Sequence, residues 1–360
     1  MAGTIARAGL TPQIWDDEFF TSYVRENRFK RYMGTDENSI IHLKEDLTAR
    51  KGKTVTFALV NALTGDGVTG NTTLEGNEEA LDSRSHAVAV APLRHAVAVS
   101  DWDEQQSVID LRNGGKMQLK LWAMDKLRGA IITGLASING VAYGSASEVQ
   151  KDAWLVDNAD RVLFGAAKSN NAANDHSACL ANIDNTSDKL TPGMVSLMKR
   201  IAQTSNPKIR PVRLSEDEEW YVMFAGSPAF RDLSQNATMT QANRDALQRG
   251  KDNPLFTGGS LIWDGVIIRE IPEISVLTGV GAGAIDVCPV YLCGAQALGV
   301  AWAQRTKSTT NVRDYDFLHG VGIQEIRGIE KLRFGTAAAD TDDLKDHGCV
   351  TGFAAGVADS

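Results

Sequence analysis

The chain has 360 residues, more than one ordinary hydrophobic core needs and enough for two or more lobes. Its 43% hydrophobic and 23% charged content is that of a folded protein, and a net charge of -8 with a pI near 5.4 argues against a dedicated DNA-binding surface, which needs clustered Lys and Arg. No apolar run nears the roughly 20 residues that span a bilayer, and the first residues lack the apolar core of a signal peptide, so a cytoplasm-like compartment is expected. Cys179, Cys288, Cys293 and Cys349 read as reduced, buried thiols.

In chain order, Pro12 to Met33 places Trp15, Phe19 and Tyr23 at helical spacing, an aromatic stripe with no second local helix to receive it. It reads as an arm lying on another surface or as a helix docked on its own domain. The patch Arg25-Glu-Asn-Arg-Phe-Lys-Arg31 fits a solvated helix face. From Lys53 the pattern turns to strand: Thr-Val-Thr-Phe-Ala-Leu-Val, a turn-rich run from Leu63 to Leu81, and a return through His86-Ala-Val-Ala-Val-Ala, interrupted at Pro92 and resumed as His95-Ala-Val-Ala-Val. The expectation is one extended hairpin from Lys53 to Val99 with an elaborated tip. One face of its return strand holds His86, Val88 and Val90, and the other holds only alanines. Such a strand builds little core of its own but lets a neighbour approach closely, which suits an intersubunit contact; a tightly packed helix of the same chain is the alternative.

A long helix is expected from Asp103 to Ile138, with Met117, Leu121, Met124, Leu127, Ile131 and Leu135 as its buried stripe and Trp122 widening it. Asp101 or Asp103 would cap it, and Gly114-Gly115, at about 1 kcal/mol per glycine, would kink or restart it. Residues 141 to 190 show little periodicity. Thr191-Pro192 opens a helix. Glu219 to Ala225, Ile262 to Ile271, Val287 to Leu292 and Phe317 to Phe334 read as strands, Ser227 and Gln241 begin short helices, and Ala295 to Gln304 is helix or strand. The class is α+β, without βαβ regularity.

The search for chemistry returns no constellation. Gly279-Val-Gly-Ala-Gly-Ala284 lacks the dinucleotide spacing and leads into a strand, so no helix N-terminus stands behind it. His86 and His95, nine residues apart, have opposite parity in an uninterrupted strand and read as surface or interface histidines. His42, His176, His319 and His347 have no ligand-type neighbour at helical spacing, and nucleophile elbows and zinc motifs are missing. Catalytic, cofactor and metal residues are therefore all expected to be none. Of the carboxylate runs, Glu75-Gly76-Asn77-Glu78-Glu79 stands out because it lies at the arm tip, where it could pair with a basic patch on a neighbour.

A polar N-terminal arm, a long hairpin, a long helix and a mixed remainder follow the chain order of the Hong Kong 97-type capsid fold of tailed phages. The stretches Thr11-Pro-Gln-Ile-Trp-Asp-Asp-Glu-Phe-Phe20, Gly65-Asp-Gly-Val-Thr-Gly-Asn-Thr-Thr-Leu-Glu-Gly-Asn-Glu-Glu79, Asn253-Pro-Leu-Phe-Thr-Gly-Gly259 and Tyr291-Leu-Cys-Gly-Ala-Gln-Ala-Leu298 resemble the major capsid protein family typified by coliphage N-four. The resemblance implies an arm at 1–50, an extended loop at 51–100, a peripheral domain with spine helix at 101–190, an axial domain at 191–304 and returning strands at 305–360. It implies pentamers and hexamers of an icosahedral shell around double-stranded DNA, with portal protein and scaffolding or cement proteins as partners, no membrane and no catalytic residues. Contact residues are then expected at the arm tip (Gly65, Gly67, Gly70, Asn71, Leu74, Glu75, Gly76, Glu78 and Glu79) and on the N-terminal arm (Trp15, Phe19, Phe20, Arg28 and Arg31). An encapsulin-like compartment and a nucleotide-binding enzyme are the alternatives.

Overall fold

The computed structural model describes residues 29–45, 52–61, 63, 65, 67–71, 73–79, 81–107, 111–215, 218–246, 261–336 and 341–356. Sixteen strands are described: β1 (Met33–Gly34), β2 (Ile41–Lys44), β3 (Thr54–Val60), β4 (Ser83–Ala89), β5 (Ala91–Ser100), β6 (Val162–Phe164), β7 (Val212–Ser215), β8 (Glu218–Ala225), β9 (Leu261–Trp263), β10 (Val266–Glu270), β11 (Asp286–Cys293), β12 (Leu298–Arg313), β13 (Leu318–Lys331), β14 (Arg333–Gly335), β15 (Leu344–Asp346) and β16 (Cys349–Gly356). The described helices are α1 (Asp101–Gln106), α2 (Leu111–Ala136), α3 (Glu148–Asn158), α4 (His176–Ala181), α5 (Pro192–Thr204), α6 (Ser227–Gln235) and α7 (Ala237–Ala246).

Two large sheets organise them. One runs β1-β2-β12-β13-β5, and the other runs β6-β16-β11-β8-β10-β9 with β7 beside β8. The second is buried on both faces at its centre, so β11 and β16 read as continuous apolar and small residues rather than alternating ones. Helix α5 covers it, capped by the Thr191 hydroxyl, which accepts the Met194 N–H, with Pro192 in its first turn. Met198 lies against Gly352, where a Cβ would stand 2.9 Å from its sulfur. Helix α2 packs on the first sheet. Leu119, Leu127, Ile131 and Leu135 bury there with Leu298, Val300, Trp302 and Ile323, and with Phe224 and Tyr291 of the second sheet, in one continuous core.

The structure alters four expectations about the elements. The hairpin ends at Ala89: among the described residues β3 pairs only with β4, from Thr54 opposite Ala89 to Val60 opposite Ser83. After Val90, whose N–H donates to the Lys53 carbonyl, the chain leaves the hairpin and β5 becomes the edge strand against β13. Pro92 therefore lies within β5, opposite Ile326, and does not interrupt the strand; an edge strand tolerates a missing N–H. The long helix breaks at Ser107, which takes extended backbone, and not at Gly114-Gly115, which sit inside α2. The α1 cap is the Ser100 hydroxyl, which accepts the Asp103 N–H, rather than an aspartate.

The expected stripe of α2 holds at Leu127, Ile131 and Leu135, with Trp122 and Met124 packed against the core, and fails only toward the start of the helix. Leu119 and Ala123 face the core, while Met117 and Leu121 are exposed. At Gly115 the helix comes close to the edge strand, where a Cβ would lie 3.1 Å from Val97 of β5. In the region read as unpatterned, α3 carries a reciprocal capping box between Ser147 and Gln150, and Asp175 caps α4.

Candidate assembly surfaces

The base of the β3–β4 arm is fixed by its apolar face. Val55, Phe57 and Val88 bury against Ala301, Leu332 and Phe334. Two glycines permit the approach: a Cβ at Gly299 would lie 2.7 Å from Leu332 and 3.0 Å from Phe57, and one at Gly328 would collide with the Ala89 carbonyl. The Lys44 ammonium adds a 2.7 Å bond to the Thr56 carbonyl. His86, expected at a surface or interface, is instead buried in this root, 3.4 Å from a Glu330 carboxylate oxygen and edge-on to Phe334. Burial works to raise the Glu330 pKa, but the His86 ring and then Arg333 outweigh it and hold the carboxyl below the usual carboxylate range. His95 stacks near Trp122 at 4.5 Å, so the two histidines do not converge.

The opposite face of the arm is uncovered. Thr54, Thr56, Ala58, Ser85, Ala87 and Ala89 are exposed, as are Ala96 and Ala98 of β5, so both alanine runs face outward and, among the described residues, no helix covers them. Beyond the paired strands, Gly65, Gly67, Gly70, Asn71, Leu74, Glu75, Gly76, Glu78 and Glu79 are all exposed. Local bonds shape this tip. The Gly65 N–H donates to Glu79 (2.8 Å), the Gly76 N–H donates to Glu78 (2.7 Å), and the Asn77 amide donates to the Thr73 carbonyl (2.9 Å). Glu78 and Glu79 thus serve the turn itself. Gly67, Gly70 and Gly76 take φ of 70°, 71° and 87°, which side chains resist. Val60, Leu63, Leu74 and Leu81 are 59–68% exposed; covering each would contribute about 1.5–3 kcal/mol, so the tip holds apolar surface the monomer leaves unused.

Two further surfaces share that character, and the sequence reading did not single them out. At the far end of β12–β13, Asp314, Tyr315 and Asp316 all take left-handed backbone (φ 52°, 49° and 74°) and present a fully exposed Tyr315 between exposed Val312 and Phe317. On α3, Val149 and Val156 are exposed two turns apart. Hydrophobic residues flanking a run of three turn-forming residues were the available signal for the first. Of the N-terminal contacts, Arg31 is exposed in a short 3-10 turn next to Phe29, which is buried edge-on to Phe224. Trp15, Phe19, Phe20 and Arg28 lie outside the described residues, as does most of the Pro12 to Met33 helix and the stretch Asn253 to Gly259.

The buried polar groups are structural in arrangement. The Lys331 ammonium, fully buried, donates to Asp346 Oδ2 at 2.9 Å, and Trp154 Nε1–H donates to the same oxygen at 3.2 Å. Burial works to discharge Lys331, but Asp346 and Cys349 outweigh it and hold the ammonium charged. Arg161, also fully buried, donates to the carbonyls of Asp346, Asn206 and Pro207. The Gly279 loop closes on itself: the Gly279 N–H donates to Asp286 and the Gly281 N–H to the Ile285 carbonyl, leading into strand β11. Among the described residues, the carboxylates of Glu148, Asp152 and Asp175 form a group close enough to share a cation.

The chain as a whole has counterparts among known proteins. The family model described as phage capsid protein matches residues 7–355. A major capsid protein of Pseudomonas phage KPP25 is 27% identical, with 95% of this chain and 94% of that protein covered. Among solved structures, the capsid of cyanophage Pam1 superposes with a TM-score of 0.83 at 36% identity over 94% of both chains. The capsid of Ralstonia phage GP4 superposes with a TM-score of 0.74 at 22% identity, covering 93% of this chain and 92% of that one.

Proposed function

The chain belongs to the phage capsid protein family and is the major capsid protein of a phage, and from that premise we propose that it closes into an icosahedral shell of pentamers and hexamers, held by the β3–β4 arm, around double-stranded DNA. The observation that carries this reading is the arm itself: a rigidly rooted hairpin whose tip exposes Leu63, Leu74 and Leu81 and whose second face is alanine and threonine. A tip of that kind has no core to build in its own chain. It gains by lying on a neighbour, and an arm enlarges the shared area without enlarging the body.

The partition into arm (1–50), extended loop (51–100), peripheral domain with spine helix (101–190), axial domain (191–304) and returning strands (305–360) belongs to the same proposal, with β12 passing through residue 304 as one strand. So does a purely structural role without catalysis, assembly in the host cytoplasm, and the portal, scaffolding or cement proteins as partners. Mild acidity supports loose, non-specific contact with packaged DNA, since an acidic wall releases few counterions from it.

Expressing the full chain and imaging it by negative stain tests the reading. Shells, tubes or capsomers are expected. Deleting residues 64–80 should leave a soluble, folded body that forms no closed shell, and normal shells from that deletion would overturn the role of the arm.

A further inference from the structure

Cys293 ends β11 and Cys349 opens β16, and the register sets them directly opposite one another. One position further along, the Gly294 N–H donates to the Gly348 carbonyl at 2.9 Å. Antiparallel pairs alternate between hydrogen-bonded and non-hydrogen-bonded, so Gly294 with Gly348 is the first kind and Cys293 with Cys349 the second. In a non-hydrogen-bonded pair the Cα atoms stand about 4.5 Å apart and the side chains come closest, within the span of a disulfide. Both cysteines are free thiols and both are buried.

A small molecule has a route to them. Side chains two residues apart on a strand share a face, so Tyr291 and Thr351, themselves an opposed pair, flank the cysteines on that face. Tyr291, Thr351 and Lys331 line a cavity of about 280 Å3, and Thr133 and Gly144, which line it too, are exposed and open it to solvent. Hydrogen bonding with Cys293 holds Cys349 below the usual thiol range against the effect of burial, and the Lys331 ammonium works in the same direction. The same bond, and then burial, raises Cys293. One sulfur therefore favours the thiolate while its partner keeps its proton, the division between an attacking and a resolving cysteine.

We propose that Cys293 and Cys349 are a peroxide-sensitive pair that closes to a disulfide and staples β11 to β16. The Cys349 thiolate attacks hydrogen peroxide, a small neutral oxidant, forming an S–O bond as the O–O bond breaks and hydroxide leaves. The Cys293 sulfur then attacks the Cys349 sulfur; the S–S bond forms, the S–O bond breaks, and the oxygen leaves as water with the Cys293 proton. Two thiols are oxidised and one peroxide is reduced to two waters once the hydroxide takes up the Cys349 proton. The new bond closes a loop that includes Ala301, Leu332 and Phe334, the floor of the arm's root. The pair is complete within one chain and does not depend on the shell.

The test treats the purified full chain, reduced and then freed of reductant, with hydrogen peroxide and counts free thiols in denaturant. The expected count falls from the four of the sequence by two, and dithiothreitol restores it. Peptide mapping should join Cys293 to Cys349, and the unfolding temperature should rise by about 5 °C. Cys293→Ala should stop at a Cys349 sulfenic acid, one oxygen heavier and trapped by dimedone. The double variant Cys179→Ala with Cys288→Ala should form the same disulfide, which keeps the test open should Cys293→Ala fail to fold. Thiols unchanged by peroxide, a bridge through Cys179 or Cys288, or a bridge between two chains would each overturn the proposal and leave the pair as inert core thiols.

Discussion

At the scale of single residues, the buried charges make the sharpest demands. Lys331 and Asp346 are both almost fully enclosed, so removing one strands the other. Lys331→Met should cost about 3–5 kcal/mol in urea unfolding, whereas adding Asp346→Asn to it should restore part of that loss, because an amide tolerates burial where an unpaired carboxylate does not. His347 gives a pH signature. Its pKa is lowered to about 4, by burial first and then by Arg161 and Arg210, while an unfolded chain's histidine titrates near 6.5. Between those values only the unfolded chain takes up the proton. The stabilisation is therefore complete above about pH 6.5, falls as the pH drops, and stops falling below about 4, with a slope of at most about 1.4 kcal/mol per unit. Unfolding midpoints at pH 7 and pH 5 should differ less in His347→Gln than in the wild-type chain.

At the scale of elements, the arm depends on its root. Gly328→Ala would set a methyl group against the Ala89 carbonyl and lift β4 from β13, and Gly299→Ala would press on Phe57 and Leu332. Each should lower stability by about 1–3 kcal/mol, and Gly328→Ala should expose Phe57 to solvent, read as faster amide exchange in β3 and β4 with α5 unaffected. Much of this architecture was legible in the sequence. Alternation marked β3 and β4, turn residues marked the tip, and the Thr191-Pro192 pair marked α5. What stayed hidden depends on neighbours. His-Ala-Val-Ala-Val reads alike in β4 and in β5, and only pairing with β13 shows that the second run left the hairpin. The exposure of Met117 and Leu121 likewise depends on how α2 is set against the first sheet, which spacing along one helix does not encode. Of the candidate contacts, the tip residues could be recognised from composition, but the roles of Glu78 and Glu79 in shaping the turn, and the meeting of α3 with α4 across 24 residues, needed coordinates.

At the scale of the whole molecule, the exposed apolar residues separate folding from assembly. Leu74→Asp removes no buried contact of the monomer, so its unfolding free energy should stay within about 0.5 kcal/mol of wild type while closed particles are lost from negative-stain fields. Tyr315→Ser, at the other end of β12–β13, should show the same division if that turn meets a neighbour; unchanged particle yield would restrict the contact to the arm. The outward alanines then take on a kinetic meaning. Ala58, Ala87, Ala89, Ala96 and Ala98 have no rotamers to freeze when a second surface meets them, and each hides little area, so an encounter there forms quickly and lets go readily. A lattice of many identical pieces needs that reversibility, because a copy added in the wrong orientation must leave before its neighbours trap it.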